Sequence, residues 1–228
     1  MASGGGIRVA IDGPVGSGKS TVAKLAARAL GYRHIDTGAM YRAVALLALR
    51  REVRLDDVQR LGELARSAKM SFKVRGGEQR LHVDCEDVED QIRTPEVSRA
   101  SSLVSAVPEV RWALVEHQRT MAQGGGVVME GRDIGTVVLP DAEVKVFLTA
   151  SAEERARRRL LQLQGQGIGA SYEDVLADLL RRDEQDSNRS VAPLRVAPDA
   201  VVIDTGNLSL EEVVRRVVDL VAQRCGAV

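Results

Sequence analysis

The chain carries no net charge, since 32 Lys+Arg balance 32 Asp+Glu over 228 residues. That removes the broad positive field a nucleic-acid-coating protein relies on, so no nucleic-acid partner is expected. Aromatic residues make up only 3% of the chain, too few for a platform that stacks single-stranded bases. The two cysteines, Cys85 and Cys225, lie far apart and form no Cys-x-x-Cys pair. This argues against a disulfide framework and predicts reduced thiols in a cytoplasmic protein. Apolar runs such as Ala43–Leu49 stop far short of the ~20 residues needed to cross a bilayer, so no membrane partner is expected. The start, Met1 to Gly6, has neither a basic nor an apolar stretch of secretory type and reads as a flexible tail.

What is present is ordinary globular composition: 44% apolar and 28% charged residues. The length suits one compact domain with an insertion, or two small ones. Apolar spacing predicts strands at Ile7–Asp12, Tyr32–Asp36, Val127–Glu130, Glu143–Leu148 and Ala200–Asp204. Helical spacing runs over Ser20–Leu30, Ala39–Arg50, about Asp56–Ser67 with Asp56 as cap, Pro108–Ala122, Ser151–Gln164, Tyr172–Asp186 and Ser209–Arg224. Thr94-Pro95 predicts another helix start. Met70–Arg75 and Gln79–Asp84 flank Gly76-Gly77-Glu78 as a hairpin.

Strands alternating with helices imply an α/β fold with a five-stranded parallel sheet covered on both faces. The second and third core strands are separated by about ninety residues, too many for a simple crossover. Residues 37–125 are therefore expected to be an inserted subdomain, within a core formed by 7–36 and 126–228.

Gly13-Pro14-Val15-Gly16-Ser17-Gly18-Lys19-Ser20, followed by Thr21, matches the phosphate-binding pattern GxxxxGK[ST], with a strand before it and a helix after it. Glycines let successive backbone N–H groups point at phosphate oxygens, and the helix N-terminus adds positive dipole. Lys19 is expected to reach the β- and γ-phosphates of ATP, and the Ser20 hydroxyl to ligate Mg²⁺. The third glycine of a dinucleotide loop is missing. No Asp has Gly three residues later, no Asn-Lys occurs and no Leu-Ser-Gly-Gly occurs, which removes the GTPase-switch and ABC-type readings. The positive charge is 27 Arg against 5 Lys, and arginine forks suit a second phosphate-bearing substrate. The loop alone leaves open a kinase for UMP, AMP or shikimate, or a P-loop regulatory ATPase.

Four further segments narrow this. Asp36-Thr37-Gly38-Ala39-Met40-Tyr41-Arg42, Glu86-Asp87-Val88 with Ile92-Arg93-Thr94, Gly131-Arg132-Asp133-Ile134-Gly135-Thr136-Val137-Val138, and Asp186-Ser187-Asn188-Arg189 resemble bacterial cytidylate kinases. The resemblance extends from about Ile7 to Arg224 in the family's order. It implies transfer of the γ-phosphoryl of ATP to CMP or dCMP by a monomer with a P-loop NTPase core, an enlarged monophosphate-binding insert carrying a small antiparallel sheet, and a short helical lid near Ala152–Arg182. By position, it implies CMP contacts at Thr37, Arg42, Ser102, Arg111, Arg132, Asp133, Arg182, Asp186 and Arg189. The hydroxyl at Thr37 stands where some members have Ser, and Ser187 stands where relatives carry Arg. Arg155 and Arg158 of the lid are candidates to touch the transferring phosphate, alongside Lys19, Arg132 and Arg189.

Simpler roles compete for several of these. Arg42 early on a helix and the Arg155–Arg159 run beside Glu153 and Glu154 also fit solvated helix faces. Arg132-Asp133 follows a strand end, where parallel sheets present ligand groups, but also fits a surface ion pair. Glu130 is expected to support Mg²⁺ through water. His34, His82 and His117 show no metal-ligand spacing, and His34 is expected to be structural.

Overall fold

The structure is a computed structural model that describes residues 6–75, 78–165 and 167–226. The expected N-terminal tail, the Gly76-Gly77 turn and part of the 165–169 loop lie outside the described residues.

Strand β1 (Arg8–Asp12) is the centre of the larger sheet. It pairs in parallel with β6 (Val127–Gly131) on one side and β7 (Val144–Thr149) on the other, and β7 pairs in parallel with β8 (Val201–Asp204). With β2 (Arg33–Asp36) beyond β6, the order is β2-β6-β1-β7-β8. Helices α1 (Lys19–Leu30) and α8 (Leu210–Cys225) cover the sheet. Val9, Ile11, Val128, Val146 and Leu148 meet Val22, Ala26, Val213 and Val217 in one buried cluster. A near-continuous apolar run is what a strand buried on both faces requires, and each such side chain contributes about 1.5–3 kcal/mol. Ser209 caps α8 with a reciprocal bond to Glu212, as Ser-x-x-Glu predicts.

The chain divides into two compact units, one formed by 1–34 with 124–228 and the other by 35–123. In the first, α6 (Ala152–Gly165) and α7 (Tyr172–Asn188) pack on each other through Ala156, Val175 and Leu179. In the second, α2 (Thr37–Arg50), α3 (Val58–Ser67), α4 (Pro95–Val104) and α5 (Pro108–Ala122) accompany the antiparallel sheet β3-β4-β5 (Met70–Arg75, Glu78–Val83, Glu86–Asp87). A Cβ on Gly62 of α3 would come within 2.7 Å of Glu109 Cβ on α5, so glycine permits this close helix approach.

Several boundaries differ from the sequence expectation, each for a local reason. Helix α2 begins at Thr37 and not Ala39, because the Asp36 carboxylate accepts from Ala39 N at 2.9 Å and caps it. Asp57, not Asp56, caps α3, since its Oδ1 accepts from Arg60 N, while Asp56 pairs with Arg54. Glu143 lies before β7, where its carboxylate accepts from Arg8 N at 2.8 Å. Ser151 supplies only half of a capping box: its hydroxyl accepts from Glu154 N, while the Glu154 carboxylate turns to Arg158. Helix α7 continues past Asp186 to Asn188.

Candidate active site

The carboxyl ends of β1, β6 and β7 bring three loops together, at the point where the chain leaves the central strand to either side. Open parallel sheets bind ligands at such a point. The β1 loop is the Gly-rich segment. At Gly13 a Cβ would meet Leu148 O at 2.0 Å, so only glycine lets the loop start this close to β7. Gly18, at φ 85, stands at the α1 N-cap with no side chain capping the helix and no acidic residue in its first turn. The first N–H groups of α1 thus remain available for an anion.

Lys19 folds back across this loop. Its Nζ donates to Pro14 O at 2.7 Å, and the residue is only 6% exposed. Burial, then the Arg132 guanidinium, lowers the amine from the ordinary lysine value to about 7, although Glu130, Asp12 and Asp186 pull the other way. An anionic phosphate at the loop would favour the charged form.

Ser20 Oγ donates to Glu130 Oε2 at 2.7 Å, and His34 Nε2 lies 3.0 Å from Glu130 Oε1. His34, expected to be structural, holds the other oxygen of the carboxylate that Ser20 touches, a partner the strand pattern does not reveal. Among the described residues no trio of His, Cys, Asp or Glu side chains is placed to cage a metal. The Ser20–Glu130 pair nonetheless fits Mg²⁺, which takes few protein ligands and fills its octahedron with water and phosphate oxygens.

After β6, Arg132 Nε donates to Asp186 Oδ2 at 2.7 Å. Burial opposes charge on Asp186, but Arg132, then Arg189, holds its carboxyl below the usual range. Arg189 lies 3.5 Å from both Asp133 and Asp186 and donates to Ala192 O. Ala192 adopts a left-handed φ of 51, a conformation unusual for a non-glycine residue, beside that bond. Arg132, Asp133, Asp186 and Arg189 thus form one charged cluster, although 57 positions separate the first from the last. Arg182 pairs with Asp178 on its own helix at 2.9 Å.

The two arginines expected to act from a lid, Arg155 and Arg158, face the protein. Arg155 is 5% exposed; its nitrogens donate to Ala150 O, Val15 O and Asp183 Oδ2. Arg158 donates to Glu154 and to both oxygens of Thr205. In this conformation both brace the phosphate loop's surroundings, since Thr205 Oγ1 in turn donates to Ser17 O.

In the other unit, Asp36 Oδ2 accepts from Arg42 Nη2 at 3.0 Å and from Arg93 Nη2 at 3.3 Å. Asp36 therefore caps α2 and orients Arg42, a double use that the strand pattern concealed. Arg111 on α5 is 1% exposed, donates to Ser105 O at 3.1 Å and lies 5.5 Å over the Tyr41 ring. Ser102 on α4 donates to Ser98 O, and Thr37 is buried at the start of α2.

A strand–loop–helix phosphate cradle on a five-stranded parallel sheet defines a protein of the P-loop NTPase class. A solved structure of an uncharacterized protein from Eubacterium ventriosum shares the fold, with a TM-score of 0.52 at 13% identity over 95% of this chain and 98% of that one. The Cytidylate kinase family model matches residues 9–223, and the chain belongs to that family. Relatives named cytidylate kinase include those of Caldicellulosiruptor saccharolyticus, 50% identical over 94% of this chain and 95% of the relative, and Caldanaerobacter subterraneus subsp. tengcongensis, 52% identical over 94% of each. A third, from Pelotomaculum thermopropionicum, is 53% identical over 92% of this chain and 93% of its own.

Proposed function

We propose that this chain transfers the γ-phosphoryl of ATP to CMP or dCMP, giving ADP and CDP or dCDP. The observation that carries this reading is the buried Lys19 of the phosphate loop beside the Arg132–Asp186 pair. The nearness of these cations supports a site where a donor and an acceptor phosphate meet, within a chain of the matching family. The residues from Gly13 to Thr21 bind the triphosphate. Ser20, and Glu130 through water, would hold Mg²⁺, which would supply charge neutralisation of the phosphate oxygens. Lys19, Arg132 and Arg189 add positive charge around the transferring group.

The acceptor oxygen is already an anion, so no general base is required, and the protein's work is alignment and charge stabilisation. Arg42, Arg132 and Arg189 hold the acceptor's 5′-phosphate. Ser102, Arg111 and Asp133 read the base, and Thr37, Arg182 and Asp186 complete the acceptor's contacts. Asp133 accepts from the cytosine amino group, which uracil replaces with a carbonyl. The segment from Ala152 to Arg182 closes to exclude water, with Arg155 and Arg158 released toward phosphate on closure. The chain acts as a cytoplasmic monomer, with residues 37–125 as its monophosphate-binding part.

The test is ADP release with a panel of nucleoside monophosphates, with cytidine as control. CMP and dCMP should lead the panel and cytidine should be inert. Preference for UMP or AMP would overturn the assignment of the acceptor.

A further inference from the structure

Asp12, the last residue of β1, has no part in the roles above, yet it is 4% exposed and carries a carboxylate. Both of its oxygens are used: Oδ1 accepts from Ile134 N at 2.8 Å and Oδ2 from Gly135 N at 2.7 Å. Those two N–H groups open a five-residue π-helical turn, Ile134–Val138, directly after Arg132 and Asp133. Such turns are rare and concentrate at functional sites. At the other side of the turn, Asp133 O accepts from Val137 N at 2.9 Å and Val138 N at 3.1 Å. The turn is thus closed on itself by Asp133 and fastened to the central strand by Asp12.

Burial pushes the Asp12 carboxyl up to about 6, even though both N–H bonds and the Lys19 charge favour ionisation and only Asp133 adds to the rise. A buried carboxylate is an expensive way to tie a strand to a turn, because apolar packing would do so without the desolvation cost. What a carboxylate supplies that packing does not is direction: two short charge-assisted bonds from two adjacent amides orient the turn on the strand. A Cβ at Gly135 would approach Asp12 Oδ2 to 3.4 Å and Lys145 Cδ to 3.2 Å, so this contact has little slack. One residue after Asp12, Gly13 begins the phosphate loop; one residue before Ile134 stands Asp133.

We propose that Asp12 is a positioning residue that fixes the spacing between the donor's phosphate cradle and the Arg132–Asp133 acceptor loop. The inference rests on the phosphotransferase reading above. A misplacement near 1 Å costs about 100-fold in transfer without a comparable loss of binding.

The experiment compares wild type with Asp12→Asn, which keeps the shape but turns an NH₂ toward one of the two backbone N–H groups. Three quantities are read with the acceptor that the monophosphate panel selects: kcat, KM for ATP, and the ratio of ADP released to acceptor phosphorylated. The expected result is a kcat lower by about 100-fold and a KM for ATP within about threefold of wild type. The ADP-to-product ratio should rise, as water replaces a misaligned acceptor. A purely structural role would lower the melting temperature and the active fraction and leave that ratio at its wild-type value, and this result overturns the inference. Gly135→Ala keeps the carboxylate and both N–H groups and displaces the turn only slightly. It should show the same split at roughly 3- to 10-fold and carries the test if Asp12→Asn does not fold; a wild-type ratio in this variant is equally fatal. Failure of the panel itself would remove the acceptor assignment, whereas an unchanged ratio in a competent enzyme removes only the role of Asp12.

Discussion

Within the unit built on the phosphate loop, the site arginines end on carboxylates at strand and helix ends: Arg132 on Asp186 at 2.7 Å, and Arg189 within 3.5 Å of Asp133 and Asp186. In the unit spanning 35–123, Arg111 is almost wholly enclosed and is held by a backbone carbonyl and the face of Tyr41. Arg42, which pairs with Asp36, follows the first pattern inside the second unit. The difference has a physical content. A guanidinium paired with a carboxylate keeps its charge where burial would disfavour it, and an incoming phosphate competes for it. A guanidinium that donates to a backbone carbonyl and lies over a ring is oriented by directional contacts before any base arrives.

The most damaging way to break the charged side of this comparison is Lys19→Met. We expect activity to fall at least ~100-fold, the scale of losing one transition-state charge contact. The fold should survive, because the amine is buried at a cost and its charge is not needed to hold the core. Thermal melting beside turnover checks both halves, and near-normal turnover in a folded variant would remove the loop assignment.

Asp133→Ala sharpens the question of which side reads the base. Loss of the carboxylate should lower kcat/KM for CMP much more than for UMP and narrow their ratio by at least ~10-fold, as expected for one mismatched buried polar group. An unchanged CMP:UMP ratio would transfer base reading entirely to Ser102 and Arg111.

The depressed Lys19 amine gives a smaller, continuous effect. At about 7 it is mostly neutral at pH 8, and a bound triphosphate restores its charge. ATP binding should then take up close to one proton at pH 8, and apparent affinity should fall by up to ~10-fold per pH unit above neutrality. Calorimetry in buffers of different ionisation enthalpy measures the uptake, which Lys19→Met should abolish. For the nucleotide-free protein the sign is the reverse of a stabilising ion pair. The folded value is lower than the unfolded 10.5, so the unfolded chain holds more protons between about 7 and 10.5, and this group's contribution to stability rises with pH across that window.

The mildest test is Tyr41→Leu, which removes the aromatic face under Arg111 and leaves the Ser105 bond. A contact of this kind is worth about 0.5–1 kcal/mol, so KM for CMP should rise roughly 2- to 5-fold with kcat nearly unchanged. A loss as large as that from Asp133→Ala would mean that the two units do not differ in the way drawn above.

The phosphate loop was legible because its function is local: eight consecutive residues supply the glycines, the lysine and the hydroxyl, and the flanking apolar runs fix the strand and helix around them. Helix ends were legible wherever a cap was unambiguous, as at Thr94-Pro95 and Ser209. They were missed where two acidic residues stood side by side, as at Asp56-Asp57, because only the bond to Arg60 N decides between them. The roles of Asp12, Asp36 and His34 were not legible. Each is a polar residue in or at the end of a strand, and what makes it matter is a partner brought by a different segment. Arg155 and Arg158 show the same limit, since a run of Arg on a helix does not say which way each fork turns.

The amino-acid sequence by itself thus determined the α/β alternation, the glycine-rich loop between β1 and α1 and, through its motifs, the family, because these depend on residue type and on spacing along one strand, loop or helix. The tertiary structure alone decided that Asp12 fastens the turn after Asp133, that Glu130 is shared by Ser20 and His34, and that Arg155 spends its donors on Val15, Ala150 and Asp183. Hydrogen bonds act over about 3 Å in space. Chain separations of more than a hundred residues, as between Asp12 and Ile134 or Val15 and Arg155, leave no periodicity from which such a bond could be read.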